Sequence, residues 1–320
     1  QGRAARDGAC ALRMRIAVTG ASGFVGGRLA RALAARGHAV IAYGRRTEAA
    51  LRRPLSDYRR WDLRGALDAP PEVDAVVHCA ALVGDWGEQR EYAEVNVGGT
   101  RRVLAAFPAA RRVVLLSTSS VYSSGAPHVC VTESDPVGEC RTAYGRTKAE
   151  SERVIVQARP DAVILRPHIV YGPGDATLVP RLLQTIRCGR LLVPGSGENL
   201  VSVTHVDNLV HAVERALALG VSGPFNVSDA APAPMSYLLA ALLVRMGNPA
   251  RLTFVPRAAA WWAAAALETA WPSRRAPRGP VLTRYLVEQL ADEHTLDISR
   301  AQAELGFAPR WSVLDGALTD

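Results

Sequence analysis

The chain has almost no lysine. Of its 38 lysine and arginine residues, only Lys148 is a lysine. Paired cysteines are missing too: Cys10, Cys79, Cys130, Cys140 and Cys188 are odd in number, and none form C-x-x-C. That argues against a disulfide framework or a zinc site, so no metal is expected, and a reducing, cytoplasmic setting is. No apolar run approaches the ~18 residues of a membrane-crossing helix, and the start carries no apolar segment of the signal-peptide kind. Although the formal charge is +8, there is no long basic run with interleaved aromatics. Nucleic acid is therefore not the expected partner, and the excess arginine would equally suit an anionic cofactor or substrate. Residues 1–13 read as a flexible tail or cloning remnant, with the folded chain opening at Met14. The remainder, rich in apolar residues, can bury one large core or two joined ones.

In so arginine-rich a chain, a lone lysine suggests a position that needs a compact ammonium and not a planar fork. Tyr144 precedes it by four residues. On a helix, positions i and i+4 share a face, so phenol and ammonium can reach one site. A cation beside a phenol lowers its pKa from about 10 and makes it a usable acid/base. An incidental surface pair would look the same at this stage.

Upstream, Arg15–Thr19 is a short β-branched run, followed by Gly20-Ala21-Ser22-Gly23-Phe24-Val25-Gly26 and a helical pattern that stops at Gly37. A second strand follows at Ala39–Tyr43. This β-α-β unit with G-x-x-G-x-x-G is a dinucleotide-binding pattern: Gly20, Gly23 and Gly26 let the backbone approach a pyrophosphate at a helix N-terminus. A glycine-rich turn with no ligand is the bland alternative. The second strand's tip reads Tyr43-Gly44-Arg45-Arg46, without the carboxylate that usually holds a 2′-hydroxyl. Arg45 and Arg46 thus favour a 2′-phosphate, hence NADP(H), with NAD(H) possible, unless they are simply solvated. Asp62-Leu63 closes a third strand-like segment. Asp74–Ala81 is a fourth strand, ending in small residues that let a flat cofactor approach. A helix opens at Asn96, and Val113–Ser117 is a fifth strand with Thr118, Ser119 and Ser120 at its C-terminal end, where open α/β sheets build sites.

Together these segments resemble the extended short-chain dehydrogenase/reductase superfamily, the NAD-dependent epimerase/dehydratase group. The matching runs are TGASGFVG (19–26), DL (62–63), HCAA (78–81), NVGGT (96–100), STSSVY (117–122), YGRTK (144–148), RPHIVYGPGD (166–175) and HVDNLV (205–210). The second half is most similar to the 3β-hydroxysteroid dehydrogenase branch and its bacterial β-ketoacid reductase relatives. The resemblance implies an α/β fold, a Rossmann-type doubly wound parallel sheet over 14–172 to which 200–228 returns. A smaller substrate-binding region would comprise 173–199 and 229–320. It implies Tyr144 as catalytic acid/base, Lys148 as the ribose-holding residue and Thr118 as the third catalytic group, with Ser119 and Ser120 close enough to replace it. Implied cofactor contacts are Gly20, Ser22, Gly23, Phe24, Val25, Gly26, Arg45, Arg46, Asp62, Leu63, Cys79, Ala80, Ala81, Ser117, Tyr144, Lys148, Pro167 and Ile169. Val83, Ser119, Ser120 and His168 are candidate substrate contacts, although His168 would serve equally as a packing group. Homodimerisation through helices 96–107 and 144–158 is expected by resemblance.

The reaction expected is hydride transfer between a nicotinamide and a hydrophobic small-molecule ketone. Two rivals stay open: a sugar-nucleotide epimerase or dehydratase, and a regulator that senses NADP(H) without chemistry. Sugar-nucleotide epimerases usually carry Arg-Asp near Thr204-His205, which is absent here, and sensors can lose the Tyr/Lys pair, which is present. Leu178–Arg187 and Val206–Leu219 are helix candidates, and Phe225–Ser228 is a late strand. Ala258–Leu267, with Trp261 and Trp262, is too short to span a bilayer. It is expected as a buried helix, with a lid over a hydrophobic substrate or a membrane-surface helix as alternatives.

Overall fold

The computed structural model describes residues 13–51, 53–123, 128–175, 185–271 and 279–312. The chain opens as β1 (Arg15–Thr19), α1 (Phe24–Ala35), β2 (Ala39–Gly44), β3 (Tyr58–Arg60) and β4 (Ala75–His78). A helical stretch follows, made of α2 (Gln89–Tyr92), a π-helical turn (Ala93–Gly98) and α3 (Gly99–Ala106), and leads to β5 (Arg112–Leu116). Next come β6 (His128–Val131), α4 (Ala143–Ala158), β7 (Val163–Pro167), β8 (Val170–Tyr171), β9 (Arg190–Pro194), β10 (Leu200–Val201) and β11 (Thr204–His205). The last part holds α5 (Val206–Ala218), β12 (Gly223–Val227), β13 (Ala233–Pro234), α6 (Met235–Arg245), β14 (Arg251–Val255), α7 (Arg257–Ala270), α8 (Arg284–Ala291), β15 (His294–Leu296) and α9 (Ser299–Leu305).

Seven strands form one sheet in the order β12-β7-β5-β4-β1-β2-β3, and every adjacent pair is parallel. Parallel sheets are covered on both faces, which is why β1 and β4 are continuous apolar runs and not alternating ones. Side chains still alternate between the faces. Ile16 and Val18 join the core under α1, α5 and α9, with Leu29, Leu33, Val213 and Leu305. Ala17 points the other way, to Tyr43, Trp61, Val103 and Phe107. The strand order reverses between β1 and β4, so a crevice opens at their C-terminal ends.

A smaller lobe lies beyond. Strands β9 and β14 pair in parallel, and Leu191 and Val193 pack with Leu239 and Leu243 of α6. Helices α7 and α8 meet through Ala260, Ala264 and Val287.

Three expectations change. The helix expected to open at Asn96 starts at Gln89, and Asn96 sits inside its π-helical turn. The fourth strand stops at His78, because Cys79–Ala81 leave the ladder at the sheet edge. The Ala/Trp segment is not a buried helix: only Ala260 and Ala264 of α7 are buried, and Trp262 is 70% exposed. Four alanines in a row supply too little apolar bulk to bury a helix on all sides, so one face packs and the other meets solvent. The helix expected over Leu178–Arg187 lies outside the described residues, which resume at Thr185.

Candidate active site

The glycine turn between β1 and α1 is built for close approach. Gly20 has φ +74°, and a Cβ there would lie 2.7 Å from the Ala80 nitrogen, so only glycine fits. A Cβ on Gly26 would strike the Gly20 carbonyl. Gly23, the N-cap of α1, offers no side chain to the first-turn N–H groups, which leaves those donors and the positive end of the helix for an anion. Ser22, Phe24 and Val25 stand at the same turn. These residues fit the pyrophosphate of a dinucleotide.

Beyond β2, Arg45 and Arg46 are exposed, and neither has an ion pair among the described residues. Gly44 is crowded: a Cβ there would meet the Tyr58 hydroxyl at 2.6 Å and Ser22 Oγ at 2.7 Å. Tyr58 Oη donates to the Arg46 carbonyl at 2.7 Å, which fixes the turn that displays the two guanidiniums. Asp62 is exposed, and its Oδ1 accepts from the Arg64 amide. Leu63 is buried against Gly99. Cys79, Ala80 and Ala81 follow β4 over the glycine turn, and burial pushes the Cys79 thiol up to about 12, so it is a neutral packing group. Ile169, two residues after Pro167, has φ +36°, a strained conformation for a β-branched residue.

The candidate acid/base residues gather at the end of β5. Helix α4 begins there because Thr142 caps it, its hydroxyl accepting from the Gly145 amide at 3.0 Å. That start puts Tyr144 and Lys148 on one face. Lys148 is buried, and its Nζ donates to the Leu116 carbonyl at 2.7 Å. Burial lowers its pKa to about 8, while Glu152 and Cys79 pull it up. Tyr144 is half-buried, and burial raises its phenol well above the ordinary range; Tyr285 raises it further, and a hydrogen bond with Thr118 pulls it down. The expected acidification by Lys148 is thus not the dominant effect. The ammonium is engaged by the strand carbonyl, and desolvation of the phenol wins.

Thr118 and Ser120 are joined at 3.2 Å, and Ser120 Oγ lies 3.0 Å from Tyr285 Oη on α8. Ser119 turns elsewhere: its Oγ lies 2.6 Å from His168 Nδ1, and both face a small cavity with His128 and His294. The structure therefore links Thr118 and Ser120 to Tyr285 and sets Ser119 with His168 apart. Val83 is exposed on the loop after β4. A cavity of about 60 Å³ opens beside the constellation, lined by Trp86, Tyr92, Ala143, Arg284 and Tyr285 among others.

Several supporting partners of these residues went unnoticed in the sequence. Ser117 Oγ donates to Glu152 at 2.5 Å, and Glu152 is paired with Arg166 at 2.6 Å in the interior. Tyr285 comes from a helix 141 residues after Tyr144 and has no local signal. Asn96 lay within a noted run: it accepts from the Leu82 amide at 2.7 Å and donates to Thr147 Oγ1 at 3.0 Å, tying the loop after β4 to α4. Among the described residues no cluster of three or more His, Cys, Asp or Glu could hold a metal ion, and no helix is long and apolar enough to cross a membrane.

The family model described as "NAD dependent epimerase/dehydratase family" matches residues 16–228. The chain belongs to this family. It is an NAD(P)-dependent enzyme of the extended short-chain dehydrogenase/reductase kind. One relative, the 2-alkyl-3-oxoalkanoate reductase of Stenotrophomonas maltophilia (strain K279a), is 37% identical over 95% of this chain and 97% of its own length. A second, the 4-hydroxy-2-methyl-3-oxo-4-farnesyl-3,4-dihydroquinoline-1-oxide ketoreductase of Stigmatella aurantiaca, is 34% identical over 93% of this chain and 92% of its own. Among solved structures, MoeE5 in complex with UDP-glucose and NAD superposes with TM-score 0.74 at 25% identity, covering 95% of this chain and 96% of the other.

Proposed function

We propose that this family member is a ketoreductase that reduces the carbonyl of a hydrophobic ketone, with 2-alkyl-3-oxo acids the leading class. The observation that carries the reading is Tyr144 one helical turn before the buried Lys148, whose Nζ is held by the Leu116 carbonyl at the end of β5, beside a cavity lined by aromatic and charged side chains. The raised pKa of the Tyr144 phenol keeps it protonated near neutral pH. A protonated phenol is a donor, which suits a carbonyl oxygen becoming an alkoxide. Thr118 and Tyr144 hydrogen-bond that oxygen, and Tyr144 delivers its proton as charge develops there. In this reading Lys148, whose Nζ donates to the Leu116 carbonyl, binds the ribose. The nicotinamide, when bound, supplies the hydride. The names of the two relatives above support this substrate class.

NADP(H) is the preferred cofactor in this reading, on the strength of Arg45 and Arg46 at the tip of β2. The sugar-nucleotide alternative lacks support at Thr204-His205: both side chains are buried, and the Thr204 hydroxyl lies within hydrogen-bond reach of the His168 and Val227 carbonyls. They offer no exposed charge to a nucleotide.

The test is NADPH oxidation against a panel of 2-alkyl-3-oxo acids and other ketones. Net oxidation is expected, about 10²–10⁴-fold slower in Tyr144→Phe. Wild-type turnover in that variant would sink the assignment of the phenol. Conversion of a sugar nucleotide without net cofactor consumption would favour the rival.

A further inference from the structure

The smaller lobe carries an unusual surface. Residues 185–197 and 230–267 contain Arg187, Arg190, Arg245, Arg251 and Arg257 but no Asp or Glu, in a chain with 30 acidic residues. Half of the exposed large apolar side chains fall in the same stretches: Leu192, Tyr237, Val244, Phe254 and Trp262. Val244, at 80%, is the most exposed of them.

Arg190, Leu192, Val244, Arg245 and Arg251 are brought together by the fold. Arg190 and Arg251 are register partners at the start of the β9–β14 pair. Leu192 shares a face with Arg190 because side chains alternate along a strand. Helix α6 ends in Val244-Arg245, and its turn leads straight back to this point: the Asn248 amide donates to the Leu243 carbonyl and the Arg251 amide to that of Gly189, both at 2.9 Å. From Val255 the chain passes into α7, whose Ala258, Ala259, Trp262, Ala263 and Ala266 are exposed. Arg257 is paired with Asp292 at 2.5 Å. Among the described residues, Arg190, Arg245 and Arg251 have no ion pair.

We propose that this lobe docks on the surface of an anionic phospholipid bilayer. Unpaired cations interleaved with apolar side chains complement anionic headgroups above acyl chains. An exposed tryptophan beside them suits the interfacial zone. Nucleic acid would use the arginines but leave Leu192 and Val244 without a partner. At 14 residues, α7 lies on the leaflet and does not cross it. The proposal stands apart from the reductase reading, though a reductase so placed would meet an alkyl ketone where it partitions.

The experiment is flotation of the full chain with phosphatidylcholine vesicles, with and without phosphatidylglycerol. Binding is expected only with phosphatidylglycerol, weakening with salt and shifting tryptophan emission to the blue. Arg190→Glu/Arg245→Glu/Arg251→Glu should weaken it roughly 10- to 100-fold. Trp262→Ser should weaken it on the order of 10-fold and remove the emission shift, while circular dichroism and NADPH oxidation stay unchanged. If the triple variant does not fold, Trp262→Ser alone decides. Absent flotation, equal flotation of the variants, or binding of a single-stranded oligonucleotide while vesicles stay free would each overturn the proposal.

Discussion

Lys148 and Glu152 lie one turn apart on α4 and grip consecutive residues of one strand end. Lys148 Nζ donates to the Leu116 carbonyl at 2.7 Å, and Glu152 accepts from Ser117 Oγ at 2.5 Å. The lysine is therefore held in the interior with a carboxylate behind it. Burial lowers its pKa to about 8, and Glu152 opposes that. If the ammonium binds the cofactor ribose, kcat/KM for the cofactor falls above about pH 8. In Glu152→Gln the opposing charge is gone, so the falling limb moves to lower pH. The same change strands the Arg166 guanidinium and should cost ~3–5 kcal/mol in urea unfolding. An unmoved alkaline limb would mean that Lys148 is not the titrating group.

Tyr285 reaches the Ser120 and Thr118 hydroxyls from the smaller lobe. Its Oη lies 3.0 Å from Ser120 Oγ, which in turn bonds Thr118. Tyr285→Phe keeps the ring and removes one neutral hydrogen bond, so kcat should drop by roughly 2- to 10-fold with cofactor affinity unchanged. A loss as large as that of Tyr144→Phe would instead make Tyr285 the proton donor.

The legible parts of this chain were those whose chemistry is local in sequence. Gly20, Gly23 and Gly26 sit in one turn because φ and close approach are backbone demands, and Tyr144 and Lys148 share a helix face by spacing alone. The buried strands were visible as β-branched runs. Tyr285 and the Glu152–Arg166 pair were not, because they depend on which distant segments fold against β5. The direction of the phenol's pKa is hidden for a related reason: spacing reveals a nearby cation, but only burial reveals how much water the phenol has lost. The exposed face of α7 was hidden because an alanine tract has no polar side to mark it.

Cofactor choice should follow the guanidiniums at the tip of β2. Arg45 and Arg46 are exposed, and the Tyr58 bond to the Arg46 carbonyl holds their turn. A charge-assisted contact to a 2′-phosphate contributes about 1.5–3 kcal/mol. Arg45→Ala/Arg46→Ala should therefore raise KM for NADPH by roughly 10- to 100-fold and leave NADH unchanged. Equal effects on both cofactors would remove the case for NADP(H).

Acid should destabilise this protein through its histidine cluster. His294 lies 3.2 Å from His128 between their Nδ1 atoms and beside the His168 ring. Burial lowers the His294 pKa from 6.5 to about 4; His128 lowers it further, while the Glu288 carbonyl and Asp292 oppose the shift. His168 is lowered well below the ordinary range, also by burial first. For such a group the unfolded chain binds more protons than the native one between the two pKa values. For His294, stability therefore falls as pH drops from about 6.5 to about 4, and no further below that. For His294 alone the loss is about 3 kcal/mol. In His294→Gln that contribution vanishes, so the melting temperature should decline less steeply over this window, even if the variant starts lower at neutral pH. Thermal denaturation at a series of pH values checks this, and an acid limb as steep in the variant as in the wild type would place the titrating group elsewhere.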